Sequence, residues 1–318
     1  MDLLRAALNH DPSAPRLTVY VDAPEPRQSS RMEFSTITLD NWASKLGNYF
    51  LDEAMMEPGD SLAVAMPARW QTAAVILGAV RAGVTLVDDE TAADAEADGL
   101  VAFVESLRHA TSGEEANSAE LGEAAPSDDE KDASTRANNA FLRYTANITA
   151  YSEASVYLCT DDPFGRSVED TGVDLDELGI GEPVDLFGKA RLCPDAFMGD
   201  DAGADNPDHI VLRDHNGSLT AGELYVAGQH WYQTQINVSD VAAHASDNAL
   251  QAHRALLGAW PTIRDFLVVA VGTWMNNGSL VIYSDEKDAN QRHDAILNQG
   301  RYHDIAATEK ATIGHYPH

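Results

Sequence analysis

The stretch Pro58–Val87, PGDSLAVAMPARWQTAAVILGAVRAGVTLV, decides the fold. Pro58-Gly59-Asp60 has turn chemistry, because proline presets φ and glycine takes backbone angles that other residues avoid. Ser61–Met66 is an apolar run of strand length. Pro67 ends that strand and can open a helix, where its missing N–H costs little. Trp70, Ala73, Ala74, Leu77 and Val80 then recur at helical spacing, and Gly83 stands where a helix-ending glycine belongs. Val84–Val87 reads as a second strand buried on both faces, the mark of a parallel sheet. The thirty residues spell a βαβ unit.

Working outward, Met1–Asn9 reads as a short helix and Arg16–Asp22 (RLTVYVD) as a strand, with Glu33–Ser35 as its hairpin partner. Thr38 is the expected N-cap of a helix reaching Met56, with Leu39, Trp42, Leu46, Tyr49 and Phe50 on its buried stripe. Leu100–Val104 and Ser155–Thr160 are short apolar strands, the second followed by the turn Asp161-Asp162-Pro163-Phe164-Gly165-Arg166. The second half repeats this grammar. His209–Arg213 is a strand, Asp214–Ser218 a loop, and Thr220–Gln233 a helix. Helices are expected at 249–260, at Ile263–Met275 and at 288–299, with a strand at Ser279–Tyr283. Strands alternating with helices give an α/β fold of two lobes with largely parallel sheets flanked by helices. The expected division is a first lobe at 1–111, an acidic flexible insertion at 112–137, a connecting segment at 138–200 and a second lobe at 201–318. Within the insertion, Ser112–Ser134 carries eight acidic residues and one lysine. It offers too little apolar surface to offset its chain entropy.

The 318 residues carry 51 Asp and Glu against 21 Lys and Arg, a formal charge of −30. A field of that sign disfavours nucleic acid, anionic membranes and polyanionic substrates. Two cysteines, Cys159 and Cys193, make no disulfide framework. No apolar run of 18 residues suggests a membrane span, and Met1–Asp11 is too short and polar for a signal peptide, so a cytoplasmic protein is expected.

Thr38–Val87, with its Thr-led helix, PGD turn, strand ending in proline and helix closing in RAG, resembles the opening of the adenylate-forming superfamily of acyl-CoA synthetases, luciferase-like ligases and adenylation domains. The match covers roughly Arg16–Val87. HIVLRDHNGSLTAGEL and AWPTIRDFLVVAVGTWMNNGSLVIYS are similar to the next part of those enzymes, more weakly. WQTAAVILGA with the later DPFGR resembles a short actinobacterial family of unassigned function, distantly related to the AMP-binding enzymes. The resemblance implies N-terminal subdomains of that superfamily without the C-terminal lid.

In that superfamily a phosphate loop rich in Ser, Thr and Gly ends in Lys just after a strand, so that backbone N–H groups and an ammonium hold a triphosphate. The corresponding positions here are Asp214, His215, Asn216, Gly217, Ser218 and Thr220. No cation follows within the loop, and Asp214 and Glu223 bracket it. A carboxylate about 4 Å from a phosphate oxygen costs on the order of 4 kcal/mol at an effective dielectric near 20. The sequence to His318 also holds no counterpart of the superfamily's adenine-binding motif, ribose-binding Asp or lid Lys. No catalytic residue carries over, and no cofactor is expected. The leading expectation is a truncated, degenerate, non-catalytic relative that binds a small molecule or a protein partner. The alternative is an AMP-forming acyl or aryl acid ligase with a rebuilt or partner-completed site, for which ATP and AMP would be ligands. A scaffold acting through the acidic insertion is a third class.

Other constellations are weaker. His209 with His215 and His244 with His253 lack zinc spacing. Ser218 is in no Gly-x-Ser-x-Gly elbow, and the glycines form no dinucleotide fingerprint. Loops 66–70 and 214–220 are expected to line a crevice at the carboxyl ends of the strands, where open α/β sheets bind ligands, and the ligand there is expected to be small and uncharged or cationic.

Overall fold

A computed structural model of the chain describes residues 1–22, 29–88, 97–104, 154–175, 178, 182–200, 206–240, 253–258, 262–285 and 299–315. In chain order its elements begin with α1 (Arg5–His10), β1 (Pro15–Asp22), β2 (Ser30–Ser35) and α2 (Thr36–Asn48), which runs on into a π-helical turn at Tyr49–Glu53. Next come β3 (Ser61–Ala65), α3 (Trp70–Ala82), β4 (Thr85–Asp88), β5 (Gly99–Phe103), β6 (Ser155–Cys159), β7 (Val184–Asp185) and α4 (Leu186–Ala190). The remainder is β8 (Ile210–Asp214), β9 (Gly217–Thr220), α5 (Ala221–Asp240), β10 (Arg254–Gly258), α6 (Ile263–Met275), β11 (Ser279–Asp285), α7 (Gln299–Thr308) and β12 (Ile313–His315).

The strands form two sheets, one ordered β12-β10-β11-β1-β2 and the other β7-β6-β5-β3-β4-β8-β9. Pairing is parallel throughout except at the edge strands β2 and β9. Each sheet draws on both ends of the chain: β1 pairs with β11 from Leu17↔Leu280 to Asp22↔Asp285, and β4 pairs with β8. Segments 1–111 and 201–318 therefore do not make separate sheets.

The βαβ unit lies at the centre of this arrangement. All thirteen residues of α3 are buried, as are all of β3 and β4. A helix apolar around its whole circumference must be covered on every side, and here both sheets do so. Leu62, Val64, Leu86, Val101 and Phe103 of the seven-stranded sheet and Leu17, Val19, Leu280 and Ile282 of the five-stranded sheet share one core with residues of α2, α3, α5 and α6. The period-2 alternation sends Ala63, Ala65, Leu100 and Ala102 to the opposite face, against Val168 and Val173. On the far side of the other sheet, Tyr20, Leu256, Val281 and Tyr283 pack against Tyr302 and Ile305 of α7.

Two buried cations tie these layers together. Arg81, in the last turn of α3, donates to Asp2 (2.7 Å), Asp40 (2.6 Å) and Ser44 (2.7 Å). Arg16 of β1 donates to Thr36 and to the Asn277 and Gly278 carbonyls that follow α6. Trp274, fully buried, returns the contact by donating its indole N–H to the Arg16 carbonyl at 3.0 Å.

Several expectations need correction. The described part of the helix expected at 249–260 is β10, a strand between β12 and β11. The run ALLG is buried along its whole length, and a short apolar run carries no period that separates buried strand from buried helix. Helix α2 starts three residues early, with Ser35 rather than Thr38 as the cap: Ser35 Oγ accepts from the Thr38 N–H. Helix α3 opens at Trp70, not at Pro67. Residues 105–153, which include the acidic insertion, and 286–298, which hold nearly all of the last expected helix, lie outside the described residues.

Trp274→Phe keeps most of the buried ring but leaves the Arg16 carbonyl without its donor. A loss of about 1–3 kcal/mol is expected, read from the urea midpoint with an unchanged slope.

Candidate functional site

The six residues expected at the phosphate-loop position form a tight β-hairpin rather than an open loop. Asp214 pairs with Gly217 and Arg213 with Ser218 across a two-residue turn of His215 and Asn216, with Gly217 at φ 96°. The backbone donors of this segment turn to the protein's own carboxylates. The Asn216 N–H goes to Asp214 Oδ1 at 2.8 Å, and the Thr220 N–H to Glu223 Oε2 at 2.9 Å. Thr220 Oγ1 accepts in return from the Glu223 N–H, closing a capping box on α5. His215, Asn216, Gly217 and Ser218 are exposed, Thr220 is half-buried, and Asp214 alone is buried.

The cation that this loop lacks in sequence arrives from α6. Arg264 makes a forked ion pair with Asp214, Nε to Oδ2 at 2.7 Å and Nη2 to Oδ1 at 2.8 Å, and also donates to the Gly217 carbonyl. Burial by itself would raise the Asp214 pKa. The hydrogen bonds from Arg264 and the Asn216 N–H outweigh it and hold the carboxyl below its ordinary value. Asp214 in turn pushes the Arg264 guanidinium pKa up.

Carboxylates also stand at other helix starts along the carboxyl ends of the strands. Asp185 accepts from the Gly188 N–H of α4 and the Glu169 N–H. Asp88, at the end of β4, lies 3.4 Å from the Ile263 N–H of α6. A helix N-terminus attracts anions through its unpaired N–H groups and dipole. At these positions the protein supplies the anion itself.

The start of α3 is built differently. No side chain caps it. The DPFGR turn is laid across it: the Trp70 indole donates to the Pro163 carbonyl (3.0 Å), and Gln71 Nε2 to the Asp162 carbonyl (2.8 Å). Gly165, at φ 64°, sits so near the Trp70 ring that a Cβ would fall 2.8 Å from it. Arg166 pairs with Asp162 inside the turn, and Arg191 donates to the Gly165 carbonyl. Arg69, 6% exposed, reaches across to Ser284 of β11 at 2.7 Å and joins the two sheets.

A cavity of about 30 Å³ opens at this place, lined by Val19, Val21 and Met32 of one sheet and by Arg69, Trp70 and Gln71 at the start of α3. It lies after β3, the strand from which the order runs to β4 on one side and to β5 on the other. Such a reversal is where open α/β sheets bind ligands. None of the hairpin residues lines it. Arg264, Gln71 and Ser284 lie outside the residues that the sequence marks as a candidate site. A polar residue in the first turn of an apolar helix is the available signal for Gln71. Nothing local announces that Arg264 meets a carboxylate fifty positions away. Among the described residues no group of three or more His, Cys, Asp or Glu could hold a metal ion, and no helix is long and apolar enough to cross a membrane.

Comparisons with known proteins agree with this architecture. The N-terminal domain of FACL13 from Mycobacterium tuberculosis matches 98% of this chain and 61% of its own, with 12% identity and a TM-score of 0.56. An acyl-CoA synthetase from Brucella canis matches 99% of this chain and 47% of its own, with 12% identity and a TM-score of 0.59. In sequence, the chain is 40% identical over 108 residues to a TIGR03089 family protein of Mycobacterium tuberculosis, covering 31% of this chain and 43% of that protein. No protein-family profile matches the sequence. The chain thus has the fold of the N-terminal domains of acyl-CoA synthetases, and it spans less than two thirds of the length of each of these relatives.

Arg264→Met strands a buried carboxylate, so a loss of about 2–3 kcal/mol is expected in chemical denaturation. Adding Asp214→Asn to it should recover most of the loss. Because the folded Asp214 pKa is depressed, the pair's contribution is present above the ordinary carboxylate pKa and fades as pH falls through the folded value. The wild-type advantage over the double variant should shrink accordingly below about pH 4.

Proposed function

We propose that this chain is a non-catalytic relative of the ligase N-terminal domains, one that binds a small molecule and does not form adenylates. The Asp214–Arg264 pair carries this reading. At the position where the resembling enzymes hold phosphate, the nearest cation is committed to a carboxylate, and the turn has only two residues. A polyanion placed there would have to break the pair or face Asp214 at short range, each costing several kcal/mol (about 4 for one such contact at an effective dielectric near 20). The carboxylates of Asp88 and Asp185, already seated at other helix starts, support the same reading. Among the described residues, a cavity lies at the start of α3, at the carboxyl end of β3.

The competing reading, an AMP-forming acyl or aryl acid ligase completed by another chain, draws on the fold and on coverage of 61% or less of the matched synthetases. Calorimetry with Mg·ATP is expected to give no binding isotherm at millimolar nucleotide. Pyrophosphate exchange with pooled fatty, aryl and amino acids is expected to stay at background. Exchange above background, lost on adding EDTA, would replace the binding-protein reading with the ligase one.

A further inference from the structure

The four edge strands of the two sheets are unequal. Among the described residues β7, β9 and β12 have two, four and three residues, whereas β2 (Ser30–Ser35) has six. Its register against β1 runs unbroken from Leu17↔Phe34 to Val21↔Ser30, and it contains neither proline nor glycine. In an antiparallel pair about half of the backbone N–H and C=O groups point away from the partner strand. Among the described residues, the main chain of Arg31–Phe34 bonds to nothing but β1. Such an edge is a template for a further strand unless its side chains prevent it.

The side chains that guard it are Arg31 and Glu33, which lie on the same face. Arg31 Nη2 donates to Glu33 Oε2 at 2.7 Å, while Arg31 Nε turns to Glu309 and the Tyr20 hydroxyl. The hydrogen bonds to Glu33, from Arg31 and Thr18, fall on Oε2, as does the nearest approach of Arg254 at 3.6 Å. Among the described residues Arg31 Nη1 and Glu33 Oε1 make no hydrogen bond, and their side chains are 42% and 36% exposed. An unused donor and an unused acceptor therefore stand two residues apart on the longest edge.

We propose that β2 is the docking edge for a second copy of this chain, the two β2 strands pairing antiparallel about a two-fold axis at Met32. That register sets Arg31 opposite Glu33 of the other copy, and Glu33 opposite the other copy's Arg31. Residues directly opposite on one face stand about 4.5–5.5 Å apart at Cβ, within reach of both long side chains. On the inner face Met32 meets its own counterpart, and Ser30 meets Phe34. Moving the axis by one residue either way would set Arg31 against Arg31 or Glu33 against Glu33, and like charges directly opposite are unfavourable. A half-step would turn the core face of one strand onto the solvent face of the other. The charge pattern thus admits one register. A basic peptide fits this edge less well, because its two charges cancel and the excess behind the formal charge of −30 lies elsewhere in the chain. The inference goes beyond the small-molecule reading and does not depend on it.

The test is sedimentation velocity of the full chain in about 0.15 M salt, where charges more than ~8 Å apart are screened. A reversible dimer with a Kd of about 100 µM or tighter is expected. Glu33→Arg sets arginine against arginine across the axis and should weaken the dimer about tenfold or more. Arg31→Glu sets glutamate against glutamate and should do the same. Mixing the two variants should restore association as a heterodimer, since each strand then meets the opposite charge. Arg31→Glu also gives up the bond to Glu309, so hydrogen exchange of the wild type decides the matter if that variant does not fold. There the outward amides of β2 should gain protection as the chain is concentrated from about 5 to about 500 µM. A monomer at the highest concentration, a dimer indifferent to Glu33→Arg, no heterodimer from folded variants, or protection confined to other strands overturns the proposal. Protection of β2 by an added lysine-rich peptide but not by concentration assigns the edge to a basic partner and likewise overturns it.

Discussion

The burial of α3 on every side constrains the rest of the molecule. A helix with no solvent face cannot adjust by rotating a polar stripe outward, so both sheets, α2 and the turns at its ends must fit its surface. Its C-terminal end is fixed by Arg81, whose guanidinium joins Asp2, Asp40 and Ser44, and by Gly83 closing the helix in the left-handed region. At its N-terminal end Arg69 reaches Ser284 of the opposite sheet while the DPFGR turn is bound through Trp70 and Gln71. One buried element thus holds the carboxyl ends of two sheets in fixed relation, and the cavity is a by-product of how its first turn meets them.

The protein's acidity acquires a local meaning in this frame. Formal charge of −30 is a statement about the whole surface, yet several carboxylates are committed to internal tasks. Asp185 caps α4, Glu223 closes the capping box of α5, and Asp214 takes the fork of Arg264. A similar pairing holds α7 to its sheet, where Glu309 accepts from Arg31, Arg254 and Tyr20. There burial alone would raise the Glu309 pKa, and the arginines and the tyrosine hydroxyl bring it below the ordinary glutamate value. Helix starts, which attract anions, are occupied here by the protein's own carboxylates.

Local regularities were legible where they had a period or a stop signal. The Pro58–Val87 unit, the α6 run from Ile263 to Met275 and the strand starting at Ser279 could all be read from apolar spacing and flanking turns. At Asp214–Thr220 the run DHNGS spells a loop because it consists of turn residues, while the antiparallel return of β9 depends on pairing with β8. Strand β10 is not legible as a strand because ALLG is too short to show a period. Of the residues around the cavity, Arg69 and Trp70 belonged to a loop expected at the carboxyl ends, whereas Gln71 and Ser284 became relevant only through contacts across 89 to 215 positions.

What the sequence by itself determined was the α/β class, the parallel character of the sheets and the shortage of local cation within Asp214–Thr220, because each depends on residue type and spacing within a few turns of chain. The tertiary structure decided the rest. It braided strands from both ends of the chain into each sheet, delivered Arg264 to Asp214 and buried Gln71 Oε1 without a donor. These outcomes depend on which distant surfaces meet, and the free energy of such meetings is spread over many contacts that no local pattern records.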